Sequence, residues 1–209
     1  MPVSSRMPFG TVGAEPLAAY LEPALLIDSN APEIEAFIET RLHDCDPTGA
    51  ARRVFYFVRD EVAHSWDVQG RRVTKSASDA LRYREGICYP KSHLVAALLR
   101  RVGVPTAICY QRLTLFDDDR GGYVIHALNA VFLDGRWSRI DARGNKPGVA
   151  AEFSLHEEKL AFPVRPQYDE IDYPKLYSQP HPAIVRVLTA NEDALEMYKM
   201  GLPESLGRF

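Results

Sequence analysis

Ile34, Phe37, Ile38 and Leu42 recur every three or four positions, the spacing that lines one face of an α-helix, and predict a helix over about 32–43. Asn30 is the expected cap, with Pro32 in the first turn. Asp46-Pro47 repeats that start signal, and Val54, Phe57, Val58 and Val62 carry a second amphipathic helix to about residue 63. A polar connection through Trp66, Gly70 and Arg71-Arg72 leads to Ser78, expected to cap a short helix with Ala80, Leu81 and Tyr83. Gly86-Ile87-Cys88-Tyr89-Pro90 then interrupts the pattern. Leu94, Val95, Leu98, Leu99 and Val102 follow as the strongest apolar stripe, stopped by Gly103, and predict a helix through the middle of the core. Ahead of all these, residues 1–30 are rich in proline and small residues and read as a leading arm with one short apolar run, Leu25-Leu26-Ile27.

From Pro105 the period changes from that of helices to that of strands. Residues 105–115, 123–133 and 136–142 are β-branched and aromatic, and Asp134-Gly135 between the last two is a two-residue hairpin turn. The acidic run Asp117-Asp118-Asp119 reads as a solvated hairpin tip rather than a calcium loop, because no glutamate at ligand spacing completes a site. The tail is Pro-rich and extended, then helical around 183–188 and 192–200. Its stretch from Phe162 to Pro182 is expected to wrap the core and cover one end of a groove, which favours a small or terminal substrate. Helices first and an antiparallel sheet afterwards make an α+β fold. The expected organisation is one domain over 1–209, with a core of about 50–146, a helical arm over 1–49 and a wrapping segment over 147–209.

Charge narrows the choice of partner. The net charge of −3 and basic residues that come in pairs rather than stripes argue against a nucleic-acid partner. No apolar stretch approaches the roughly 20 residues of a membrane span, and the start of the chain lacks the apolar run of a signal peptide, so a cytoplasmic protein is expected. The three cysteines do not make a disulfide framework. His43 and Cys45 have the spacing of half a zinc site, but no second pair stands at ligand spacing, and neither a metal nor a cofactor is expected.

Among the cysteines, Cys88 stands where chemistry is easiest. It opens a helix, whose unpaired N–H groups favour an anion, and Gly86 and Pro90 suit a sharp turn into that helix. Lys91 adds to the positive field and Glu85 opposes it. Cys109 lies mid-strand and reads as inert packing. A thiol nucleophile needs a base held by a third group. The two-residue turn at Asp134-Gly135 sets Phe132 opposite Trp137, Leu128 opposite Asp141 and His126 opposite Arg143. His126 and Asp141 are then diagonal neighbours on one side of the hairpin, within reach of an imidazole and a carboxylate. His93, further along the helix of Cys88, falls on another side and is expected at the surface.

Gly86-Ile87-Cys88 opening a helix, His126-Ala127 in a strand, and Trp137 and Asp141 after a turn together resemble the transglutaminase-like superfamily. Phe57-Val58-Arg59-Asp60, Ser76 to Leu81, and Leu98 to Pro105 are similar to it as well, so that the resemblance spans about 50–146. It implies a papain-like core in which a nucleophile helix packs on an antiparallel sheet. Cys88 is then the nucleophile, His126 the base and acid, and Asp141 the group that orients the imidazole. The implied reaction is acyl transfer through a thioester on a peptide, protein or small amide, chiefly as a peptidase or amidase. A protein-glutamine transglutaminase, an arylamine-type acyltransferase and a non-catalytic binding module on the same fold are the alternatives. Trp66 or His64 is the candidate for completing the oxyanion hole. Arg143 and Asn145 are candidate substrate contacts, and Tyr89 and Tyr123 candidate groove walls, with partly buried packing as the other reading of both tyrosines.

Overall fold

The computed structural model describes residues 15–115 and 121–207, so residues 1–14 of the leading arm and the acidic tip Asp117–Asp119 lie outside the described residues. Helix α1 (Pro32–Arg41) has Ala31 rather than Asn30 at its cap, and no side chain caps it. Pro32 takes the first helical position, where an N–H would have no helical partner in any case. Helix α2 (Pro47–Glu61) starts as predicted, with Asp46 Oδ1 accepting from the Gly49 N–H at 2.6 Å. Helix α3 (Ala77–Tyr83) is capped by Ser76, not Ser78. Ser76 accepts from the Asp79 N–H and the Asp79 carboxylate accepts from the Ser76 N–H, a reciprocal box. Ser78 is already inside the first turn, where its N–H and hydroxyl both bind Asp28.

Helix α4 (Cys88–Arg101) is enclosed from Cys88 through Arg100. It packs against α2, α3 and two strands, which leaves it no solvent-facing side. This explains why His93 is not on the surface. The ring is wholly buried, its Nδ1 sits 3.2 Å from the Lys75 carbonyl, and burial pulls its pKa down to about 4. Its stripe of Leu94, Val95, Leu98 and Leu99 places it in the core as predicted, while Lys91, Ser92, His93 and Arg100 are buried on its other sides.

Strands β1 (Thr106–Thr114), β2 (Tyr123–Leu133), β3 (Arg136–Ile140) and β4 (Ile171–Asp172) form one sheet in the order β3-β2-β1-β4, all antiparallel. Asp134 and Gly135 both have positive φ, +52° and +75°, as a type I′ hairpin turn requires. That turn sets the register: Phe132 faces Trp137 and Asn129 faces Ile140. Strand β3 stops at Ile140 instead of running on to 142. Strand β4 comes from the tail and was not signalled by any pattern, since only Ile171 and Asp172 pair, with Arg112 and Gln111. Along β1 and β2 the apolar residues alternate between two clusters. Ile108, Tyr110, Ile125, Ala127 and Val131 join the helices, while Ala107, Cys109, Leu128 and Ala130 pack with Tyr20 and Leu176.

Helix α5 (Pro182–Ala190) and the short α6 (Ala194–Glu196), which continues as a π turn over Met197–Gly201, stand where the tail was expected to be helical. The main apolar cluster runs from Ile27 to Met197, so arm and tail contribute to the same core as α4. No helix among the described residues is long and apolar enough to cross a membrane.

Candidate active site

Cys88 is the first residue of α4, and no side chain caps the helix there. The N–H groups of the first turn therefore keep their capacity to hold an anion. Gly86 makes this approach possible. A Cβ at that position would lie 2.8 Å from Pro90 Cγ and 2.9 Å from Thr74 Oγ1, with Thr74 in turn anchored to the Glu85 carbonyl at 3.0 Å. The thiol is buried but not sealed, with 8% of the residue exposed to the cavity it lines.

His126 Nε2 lies 2.9 Å from Asp141 Oδ2, and Cys88 lines the same cavity as the ring and favours its charged form. With Nε2 taken by the carboxylate, Nδ1 is the nitrogen left for sulfur. The hairpin arithmetic therefore brings imidazole and carboxylate together even though β3 ends just before Asp141. Two backbone N–H groups complete the cradle of the carboxylate, Ala161 at 3.1 Å to Oδ2 and Arg143 at 3.2 Å to Oδ1. Burial disfavours the charged ring of His126, but the charge and hydrogen bond of Asp141, followed by the Cys88 thiol, outweigh it and raise the pKa to about 10. Burial likewise opposes the charge of Asp141, and the imidazole and the two N–H groups hold its carboxyl below the ordinary range.

Arg143 ties this centre to the cavity wall. Its backbone holds Asp141, and its buried guanidinium grips both oxygens of Asp67, with Nη2 at 2.9 Å from Oδ1. Lys146 reaches the same Oδ1 at 3.1 Å. Burial works against the Asp67 charge, yet the two cations bring its carboxyl to about 2.

The cavity is about 830 Å³ and is lined by Cys88, His126, His64, Trp66, Arg143 and Tyr198 among others. Trp66 stacks on Tyr198 with centroids 4.4 Å apart and planes 16° from parallel, and His64 meets the same tyrosine edge-on at 6.2 Å. Burial, followed by the Arg143 charge, pushes His64 well below its ordinary value, so its ring is neutral. The wrapping segment does reach the site. Ala161, Phe162, Pro163 and Arg165 line the cavity, and Phe162 stands edge-on to His126 at 5.3 Å.

Three sequence candidates, Tyr89, Asn145 and Tyr123, are not among the residues lining the cavity. Tyr89 is fully buried and spends its hydroxyl on the Ile125 carbonyl at 2.8 Å, because the second residue of α4 turns inward toward the sheet. Asn145 braces its own loop through both the N–H (2.8 Å) and the carbonyl (3.2 Å) of Ala151. Tyr123 donates to the Tyr168 carbonyl at 3.1 Å and carries Arg112 over its ring. The residues that sequence reasoning missed are Asp67, Lys146 and Tyr198. Asp67 is paired across 76 positions of chain and Tyr198 comes from the far end of the tail, so no local pattern marks either.

Lys91 lies behind the centre, buried, donating to the carbonyls of Val58 (2.7 Å) and Val62 at the end of α2. Burial, followed by the Arg143 charge, lowers its pKa to about 7. Its effect on stability is opposite in sign to that of His126. The raised His126 contributes stability that is full below about 6.5 and lost as pH rises through about 10. The depressed Lys91 carries a penalty below about 7 that is relieved as pH rises toward the unfolded value of about 10.4. Between pH 7 and about 8.5 the two slopes offset each other, and above about 8.5 the buried Cys109 thiol, pushed up to about 12, adds a loss of its own. Urea unfolding of the wild type is expected to change little over the lower window. Lys91→Met is expected to lose stability with rising pH, by up to about 1.4 kcal/mol per unit, and a flat profile in the variant would show that His126 is not held by this pair.

Residues 38–142, about half of the chain, match the family profile of the Transglutaminase-like superfamily. Among solved structures, a proposed cysteine protease from Cytophaga hutchinsonii aligns at 18% identity and a TM-score of 0.49, over 61% of this chain and 42% of that one. A TGase aligns at 17% identity and a TM-score of 0.39, over 63% of this chain and 35% of the other. The chain thus spans less than half the length of either. A search of curated proteins finds no match.

Proposed function

Because this chain belongs to the transglutaminase-like superfamily, we propose that it is a thiol-dependent enzyme that hydrolyses amide or peptide bonds through a thioester. The observation that carries this reading is the His126–Asp141 pair at 2.9 Å, with Cys88 and His126 lining one cavity. His126 Nδ1 takes the Cys88 thiol proton as the sulfur attacks the substrate carbonyl carbon, and the N–H groups at the start of α4 face the oxygen that gains charge. The adduct collapses with loss of the carbon–nitrogen bond, and His126 gives its Nδ1 proton to the departing amine. Water then attacks the thioester and His126 takes a proton from it. The carbon–sulfur bond breaks, releasing a carboxylic acid and restoring the thiol. Trp66 and His64, on the cavity wall, are the candidates for the remaining oxyanion contact.

The size of the cavity supports a small amide or a chain end as substrate. About 830 Å³ suits a drug-sized molecule, and the Phe162 and Tyr198 segments stand on its walls, where the middle of a long chain would have to pass. A reducing compartment such as the cytoplasm suits a free thiol of this kind.

The test is alkylation of Cys88 by iodoacetamide at pH 7, read by peptide mapping. Wild type is expected to react about 10- to 100-fold faster than His126→Ala. Cys109, fully buried and pushed up to about 12 by that burial, stays unlabelled and serves as an internal check on folding. A Cys88 that is inert, or whose rate ignores His126, overturns the reading.

A further inference from the structure

The cavity wall is cationic although the chain carries a net charge of −3. Among the described residues, Arg143, Lys146, Arg165 and Lys199 line it together with one carboxylate, Glu170. Arg165 and Glu170 meet at 2.8 Å and offset one another. The others are not offset. Asp67 alone serves both Arg143 and Lys146, so two cations share one carboxylate there. Lys199 has only Glu196, 3.8 Å away with both side chains more than half exposed, an ion pair of little strength. A cavity whose wall carries an excess of one sign of charge concentrates ligands of the opposite sign.

We propose that the cavity selects an acyl donor bearing a carboxylate, held by the excess positive charge at Lys146 and Lys199 while its amide lies at Cys88. The proposal rests on the thiol-enzyme reading above and names the substrate class for it. The apolar part of the same wall, Ile87, Leu113, Val124 and Leu202, would take the acyl chain between the two ends. Neither lysine contacts the reacting atoms, and their part is to choose what enters.

Iodoacetate and iodoacetamide separate the two ideas, because they alkylate the same sulfur and differ in charge. The readout is the ratio of their rates at Cys88, divided by the same ratio for N-acetylcysteine amide in solution. In 20 mM salt the normalised ratio is expected to be about three- to tenfold above one. It is expected to fall toward one in 0.5 M salt and to drop at least threefold in Lys146→Glu and in Lys199→Glu, each carrying the test if the other fails to fold. A ratio at or below one overturns the proposal. So does a raised ratio that neither substitution changes, which would assign the preference to the His126 imidazolium alone. Fast iodoacetamide labelling that depends on His126 keeps the enzyme reading in either case, whereas a Cys88 inert to both reagents removes both.

Discussion

Cys88→Ala is expected to lower kcat/KM for an amide substrate by about 10⁴-fold or more, with the fold intact. The size of the loss follows from the absence of a substitute thiol. Cys109 is fully buried in the second apolar cluster, and Cys45 sits in the connection between α1 and α2 and is not among the residues lining the cavity. Alanine leaves room for water beside the ring, but water attacking an unactivated amide lacks the nucleophilicity of sulfur. His126→Ala is expected to lose nearly as much, because a thiol without a proton partner cannot protonate the departing amine. Cys88 and His126 act as one unit, so the double variant should be little worse than either single one. Initial rates on any chromogenic amide that the wild type cleaves are the measurement. Retention of a tenth of wild-type activity in Cys88→Ala would place the chemistry on another residue, and losses that multiply in the double variant would deny the coupling.

The parts of this centre that were legible in the sequence are those fixed by short-range geometry. An Asp-Gly turn sets a two-residue hairpin, the hairpin sets the register, and the register puts His126 and Asp141 side by side. The helix of Cys88 was legible because its apolar stripe, Leu94 to Val102, keeps one period over about two and a half turns. The same reasoning misplaced His93, since periodicity tells which residues share a face but not whether the remaining faces are also covered. It found neither Asp67 as the partner of Arg143 nor Tyr198 on Trp66, because each contact joins segments whose separation along the chain carries no pattern. Asn145 and Tyr89 were chosen for proximity to the catalytic positions. Backbone geometry turned one into a loop brace and the other into the core.

Asp141→Ala is expected to cost about 3–5 kcal/mol of stability, the usual size when one member of a buried ion pair is removed. Asp141 is 1% exposed and accepts three hydrogen bonds, from His126 and from the N–H groups of Arg143 and Ala161. Alanine leaves all three donors buried without a partner. The ring of His126 then keeps the opposing effect of burial but loses the charge that outweighed it, so its pKa should fall from about 10 to below 6.5. The Ala161 contact also holds Phe162 against the ring, so the cavity wall should loosen with it. Asp141→Asn separates this structural role from the chemical one. Asparagine keeps the shape and can still accept from Arg143 with its oxygen, but its amide nitrogen, placed toward Nε2, would favour the tautomer that puts the ring proton on Nδ1. Activity should then fall by about 10⁴-fold while stability falls less than in the alanine variant. Urea unfolding and amide hydrolysis of the two variants decide it. If asparagine loses as much stability as alanine and no more activity, Asp141 serves chiefly as a buried brace, and the orienting of His126 must come from the packing of Phe162.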